Sequence, residues 1–199
     1  MKRIGVFGGS FDPIHDGHLA VATGALQAAD LDEVILMVSP ENPLKKGRLH
    51  APEESRLEMA EAAIKSLPDE FKDRIKVSNF EFGLPRPSYT IDTLLALRKA
   101  YPDCSFCWIA GGDNLEIISR WKDFNRILSE FGLIVYPRPD AKSPEHIPMG
   151  VKYIDNVKQF PYSSTEIREK LSDSKEVGDL PIPAEVKNYI SRHPGLYVE

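Results

Sequence analysis

The sequence predicts an α/β fold: a single domain over residues 1–199, with an open, mainly parallel sheet flanked by helices. Three observations carry the prediction. Strand-like and helix-like patterns alternate along the chain, as in βαβ units with right-handed crossovers. Gly8-Gly9-Ser10 and Gly111-Gly112-Asp113-Asn114 each follow a strand-like run. Their loops should therefore share the carboxyl edge of the sheet, where open parallel sheets take their ligands. Finally, 199 residues suffice for one ordinary core, and no repeat, low-complexity tract or long linker divides them.

The strand-like runs are Arg3–Phe7, Glu33–Val38, Ile75–Phe80, Ser105–Ala110 and Leu133–Tyr136, with a weaker one at Val151–Ile154. Within the first, the apolar run Ile4-Gly5-Val6-Phe7 reads as a buried strand. The helix-like stretches are His15–Ala29, Pro52–Ser66, Thr90–Ala100, Asn114–Ser129 in one or two pieces, Ser164–Leu171 and Pro183–Arg192. In the first of these, His15, His18, Ala22 and Ala25 fall along one face, with Leu19 and Leu26 beside them. Its apolar part can pack on the sheet while its first turn meets a ligand.

Composition narrows the function. The chain is 42% hydrophobic and 28% charged, as in soluble globular proteins. No apolar stretch approaches the ~18 residues of a membrane helix, and the start of the chain lacks a signal-peptide layout; the expected location is the cytoplasm. A net charge of −5 argues against a broad nucleic-acid surface. It leaves room for a small anionic substrate held by local cations such as Lys45-Lys46-Gly47-Arg48. Cys104 and Cys107 lie three apart in a strand-like run, on opposite faces, and read as packing thiols rather than a disulfide or metal pair.

Four segments are suited to a phosphate or an aromatic ring, and each has a plain structural reading. Gly8-Gly9-Ser10 fits neither the dinucleotide fingerprint nor a P-loop, and a tight turn accounts for it as well as ligand approach does. It is followed by the Asp12-Pro13 turn and by His15-x-x-His18 at a helix start. There, backbone N–H groups and two imidazoles can surround a polyphosphate. A metal reading of these histidines lacks ligands, because His50, His146 and His193 stand in no recognisable spacing. Ser163, Ser164 and Thr165 are helix-cap residues, and Glu166 completes a capping box with Ser163. Arg168 opposes the helix dipole unless an anion binds at that end. Asp113 or Asn114 is either a helix cap or a partner for ribose hydroxyls. Trp121 is either core or a stacking surface, and Ser88-Tyr89-Thr90 is either a cap or a clamp on substrate.

GGSFDPIHDGH (8–18) resembles the signature of the nucleotidyltransferases: His or Thr, any residue, Gly, His, here His15-Asp16-Gly17-His18. Together with PSYTIDTL (87–94), GGDN…RW (111–121), YPRP (136–139) and SSTEIR (163–168), it resembles the bacterial nicotinate-nucleotide adenylyltransferase family, in the family's order and over essentially the whole chain. The resemblance implies a Rossmann-like nucleotidyltransferase fold. It also implies transfer of AMP from ATP to nicotinate mononucleotide, giving deamido-NAD and pyrophosphate, in NAD biosynthesis. Carried over by position, it places Gly8, Gly9, Ser10, Phe11, His15 and His18 against ATP, with both histidines on its phosphates. Gly111 and Asp113 would meet the adenosine, and Ser164, Thr165 and Arg168 the triphosphate. Lys45 would lie near the phosphates. Tyr89, Thr90 and Trp121 would hold the pyridine nucleotide, with Arg138 as a further phosphate contact. His15, His18 and Arg168 are the expected catalytic groups.

The same resemblance implies Mg2+ carried with ATP rather than on a protein site, and partners limited to ATP and the mononucleotide, with no nucleic acid and no membrane. Self-association into a homo-oligomer stays open. Lys122, Tyr162 and Asp140 depart from the family pattern and bear on substrate detail rather than on phosphate handling. Acceptors of related enzymes, nicotinamide mononucleotide or phosphopantetheine, are the nearest alternatives. A non-catalytic nucleotide sensor would keep the glycines without needing the histidines and Arg168.

Overall fold

The computed structural model describes residues 1–40, 51–115, 117–137, 146–154, 158, 160–174 and 177–197, with Asp113 and Ser174 described by backbone alone. Lys45, Arg138 and Asp140 lie outside the described residues. Six strands form one sheet: β1 (Lys2–Gly9), β2 (Glu33–Val38), β3 (Ile75–Ser78), β4 (Cys104–Gly111), β5 (Leu133–Tyr136) and β6 (Val151–Tyr153). The order is β3-β2-β1-β4-β5-β6, and every pairing is parallel. The chain winds outward from β1 to one edge, then returns to β4 and winds to the other. The crevice between the carboxyl ends of β1 and β4 is thus the topological switch point, and both glycine-containing loops leave from it.

The helices are α1 (Asp16–Ala28), α2 (Glu53–Lys65), the single turn α3 (Asp69–Lys72), α4 (Thr90–Ala100), the short α5 (Phe124–Arg126), α6 (Ser164–Ser174) and α7 (Ala184–Arg192). The two-residue period of the strands sends alternate side chains into two cores. Phe7, Cys107, Ile109 and Ile134 join Ala22 and Leu26 of α1, Met59 of α2, Ile167 of α6 and Val186 of α7. Val6, Phe106, Trp108 and Val135 join Ile91, Leu94 and Leu97 of α4. Cys107 lies in the first core and Cys104 packs against the second, as their spacing requires. Burial pushes the Cys107 thiol up to about 11, leaving it an inert packing group.

Two elements differ from the sequence reading. The expected helix over Asn114–Ser129 is broken. Trp121 is extended (φ −73°, ψ 141°) and Asp123 left-handed (φ 50°, ψ 38°). Among the described residues of this stretch, only Phe124–Arg126 is α-helical, before a π-turn over Ile127–Phe131. Packing of Trp121 against the second core, with a lesser part for the exposed Lys122–Asp92 pair described below, opposes local helix propensity here. The strand expected to reach Phe80 stops at Ser78, where the Ser78 hydroxyl accepts the Phe80 N–H at 3.2 Å. A 3-10 turn over Phe80–Gly83 follows and turns Glu81 inward.

Gly8 has a packing reason of its own. A Cβ there would overlap the indole of Trp108, while one at Gly9 would lie 2.9 Å from the ring of Phe11. Gly8→Ala is therefore expected to destabilise the fold by about 1–3 kcal/mol through overpacking. Denaturant unfolding checks this; an unchanged midpoint would show that Trp108 yields freely.

Candidate functional site

The site is built around the turn between β1 and α1. Phe11 adopts φ 47°, and its buried ring packs edge-on against Phe7 and against His18, with centroids 5.6 and 5.0 Å away. The side chain of Phe11 thus supports His18 from beneath. His15 is the N-cap of α1 (φ −143°, ψ 171°), and its ring stacks on that of His18 at 3.7 Å between centroids. Gly17 permits this stack, because a Cβ there would lie 2.9 Å from His15 Cε1.

The His15 backbone N–H donates to His18 Nδ1 at 3.2 Å. His18 thereby occupies the place that Glu or Gln takes in a capping box. An accepting Nδ1 carries no proton, so the neutral ring carries it on Nε2. The helix start thus fixes which nitrogen of His18 is the donor.

The far end of the chain meets this turn directly. Arg168 Nη1 donates to the Asp12 carbonyl at 2.6 Å, and Ser164 Oγ donates to the Pro13 carbonyl at 3.0 Å. Tyr162 packs edge-on against His15 at 5.7 Å. Burial holds the Tyr162 hydroxyl up at about 12, with the Asp16 carboxylate adding to the shift. The expected capping box forms: Ser163 N–H donates to Glu166 Oε2 at 2.6 Å, and Glu166 N–H donates to Ser163 Oγ at 3.3 Å. The Ser163 hydroxyl, which donates to Glu166 Oε2 at 2.9 Å, and then the Ser163 N–H hold the Glu166 carboxyl below its ordinary value.

Arg168, unexplained by helix rules, therefore has a structural partner. Its Nη2 reaches Thr165 Oγ1 at 3.2 Å, while its buried Nε–H has no acceptor among the described residues. Histidines and guanidinium, about 150 positions apart in sequence, are brought to one turn of backbone.

A second cluster lies at the start of α4. Lys122 Nζ pairs with both Asp92 oxygens, at 2.9 and 2.7 Å, and sits 5.1 Å above the Tyr89 ring. The residue following Trp121 is thus tied to the turn carrying Tyr89 and Thr90, and the half-buried Trp121 packs against the second core. At the end of β4, Asn114 Nδ2 donates to the Gly111 carbonyl at 3.2 Å, which closes the Gly111–Asn114 turn.

Several residues that support the site went unread in the sequence. Arg56 is buried on the apolar face of α2 with Met59, Ala60 and Ala63. It donates to the carbonyls of Ser10 and Ser39 at 2.7 Å, of Pro40 at 3.1 Å and of Ala51 at 3.2 Å. This guanidinium stitches together the loops after β1 and β2. Burial lowers its pKa, with Asp12 the leading opposing influence. An arginine in step with apolar residues at i+3, i+4 and i+7 was the available signal.

Glu81 is the other. It is 2% exposed and accepts the Thr93 hydroxyl of α4 at 2.7 Å. Burial raises its carboxyl above 4.5, with Thr93 and Ser39 acting the other way. The folded chain then holds this proton more tightly than the unfolded chain. Its contribution to stability is complete below 4.5 and is lost as pH rises from there through the folded value. Glu81→Gln, which cannot titrate, is expected to flatten the stability–pH curve over that interval. Equal slopes for the two proteins would refute the buried proton.

Among the described residues, no three His, Cys, Asp or Glu side chains are grouped to hold a metal ion. No helix among them is long and apolar enough to cross a membrane.

Comparison with known proteins shows the family and the fold. A family model described as cytidylyltransferase-like matches residues 6–170. A Bacteroides fragilis protein named "Probable nicotinate-nucleotide adenylyltransferase" is 42% identical over 96% of this chain and 92% of its own length. A protein of the same name from Cytophaga hutchinsonii is 45% identical over 71% of each chain. Among solved structures, the nicotinic acid mononucleotide adenylyltransferase of Plasmodium falciparum, complexed with NaAD, superposes with a TM-score of 0.81. The alignment covers 99% of this chain and 98% of that one at 23% identity, a likeness of fold.

Proposed function

Since the chain belongs to the cytidylyltransferase-like family, and within it to the nicotinate-nucleotide adenylyltransferases, we propose that it transfers the AMP moiety of ATP to nicotinate mononucleotide, forming deamido-NAD and pyrophosphate. The observation that carries this reading is the joining of Arg168 and Ser164 to the Asp12-Pro13 backbone, directly before the His15–His18 helix start. It ties the guanidinium to the turn that leads into the two imidazoles, groups that suit a triphosphate.

The 5′-phosphate of the mononucleotide attacks the α-phosphorus of ATP in line. A bond forms between acceptor oxygen and α-phosphorus, the bond to the bridging oxygen breaks, and pyrophosphate leaves with that electron pair. The nucleophile is already anionic, so no side chain need remove a proton or form a covalent intermediate. The protein positions the two substrates and stabilises charge on the α-phosphoryl and leaving oxygens. His18 Nε2–H donates to a phosphate oxygen as a neutral imidazole, held in that tautomer by the His15 N–H. Arg168, fixed against Asp12, takes the outer phosphates together with Ser164 and Thr165. Gly8, Gly9 and Ser10 bring backbone close to the nucleotide, Gly111 and Asp113 meet the adenosine, and Lys45 and Arg138 add positive charge. ATP would enter as its magnesium complex, the ion supplying charge neutralisation on the phosphates with few protein ligands.

Tyr89, Thr90 and Trp121 hold the pyridine nucleotide, with Trp121 stacking on the ring. The Lys122–Asp92 pair fixes the loop bearing Trp121 against the start of α4. Backbone N–H groups can recognise the nicotinate carboxylate.

The test is pyrophosphate release with ATP and each of nicotinate mononucleotide, nicotinamide mononucleotide and phosphopantetheine, with and without magnesium. Magnesium-dependent turnover greatest with nicotinate mononucleotide is expected. Turnover confined to another acceptor would replace the substrate, and binding of ATP without any turnover would leave a nucleotide sensor.

A further inference from the structure

Tyr197 stands far from every motif in the sequence, yet its hydroxyl donates at 2.9 Å to Asp12 Oδ1, across 185 positions. Its ring is buried in the core beneath the sheet's first face, and the hydroxyl lies 3.9 Å from Met59 Sδ. Asp12 is wholly buried. The same carboxylate oxygen accepts the Ala51 N–H at 3.2 Å. The other oxygen lies 3.9 Å from Arg168 Nη1, which donates instead to the Asp12 carbonyl.

Two forces thus compete for Asp12. The hydroxyl and amide hold one carboxylate oxygen on the core side, while the guanidinium attracts the other from the site. We propose that Tyr197 is a positioning residue for ATP: by holding the Asp12 carboxylate back, it leaves the Arg168 guanidinium available to phosphate and fixes the turn that presents His15 and His18. Burial and the neighbouring Asp12 charge raise the tyrosine's pKa, so it remains a donor across the working pH range. Loss of the hydroxyl removes one donor from Oδ1, which keeps the Ala51 N–H, and weakens the hold on the core side against the pull of Arg168 on Oδ2. A shift of the carboxylate toward Arg168 would shorten the 3.9 Å ion pair already present, at the expense of the one with ATP.

This inference rests on the ATP site proposed above, and the experiment separates the two. Affinity for magnesium–ATP and for nicotinate mononucleotide is measured by calorimetry on the wild type, Tyr197→Phe and Met59→Leu, with steady-state turnover and thermal unfolding alongside. Tyr197→Phe, which removes one oxygen, is expected to weaken ATP binding about tenfold, roughly one charge-assisted hydrogen bond, and to leave mononucleotide affinity within about twofold. Met59→Leu disturbs packing at the same ring but keeps the hydroxyl, and is expected to change the unfolding temperature without changing ATP affinity. Unchanged ATP affinity in Tyr197→Phe, or equal loss for both ligands, overturns the inference, as does a Met59→Leu loss equal to that of Tyr197→Phe. A wild type that binds ATP without transferring AMP sinks the enzymatic reading alone, since the affinity comparison still decides the role of Tyr197. A wild type that binds no ATP sinks both.

Discussion

His18→Ala is expected to lower kcat on the order of 10²–10³-fold, the effect of removing one preorganised donor from a developing oxyanion. The structure gives His18 a second task, since its Nδ1 accepts the His15 N–H at the start of α1. Loss of that cap alone costs about 1 kcal/mol, which could be mistaken for a catalytic effect. His18→Glu separates the two. A carboxylate at this position restores the capping-box acceptor but offers no donor and repels phosphate. The two variants should therefore differ in unfolding temperature and agree in lost turnover. A folded His18→Ala protein within a few-fold of wild-type kcat would remove His18 from the mechanism, whatever its part in the helix.

The second large effect is expected at Arg168. Arg168→Ala should raise KM for ATP by about 10–100-fold, the range for a hydrogen bond to a charged group worth about 1.5–3 kcal/mol, while KM for the mononucleotide stays near wild type. Helix rules give Arg168 a reason to stand in the first turn of α6 only if an anion binds there; the structure adds a second. Its 2.6 Å bond to the Asp12 carbonyl means that the alanine variant also loosens the turn before α1. Some loss of stability should accompany the kinetic change. Arg168→Lys keeps the charge but not the forked donor geometry, so only partial recovery is expected. ATP kinetics unchanged in Arg168→Ala would contradict the site as assembled here.

The local chemistry of the site was readable in the order of residues. The Ser163–Glu166 capping box is set by four consecutive positions and forms as the spacing requires. The opposed faces of Cys104 and Cys107 follow from the strand period alone. Asn114–Ser129 was less readable. Its helical pattern is genuine, but the Lys122–Asp92 pair and the packing of Trp121 favour a broken path, and no window of sequence contains both partners. The glycines were half readable: the need for a small residue was plain. That Trp108 and Phe11 impose it at Gly8 and Gly9 required the packing of separate segments.

By itself the sequence determined the parallel α/β architecture, the family, and the residue types proposed to handle phosphate, because these depend on periodicity and on short contiguous motifs. Only the tertiary structure decided what holds those residues in place: Arg56 stitching two loop backbones, Glu81 turned in against α4, and Asp12 caught between Tyr197 and Arg168. The physical reason is that a buried polar group is stable only with partners. Those partners come from wherever the fold brings chain together, with no signature in the spacing of residues.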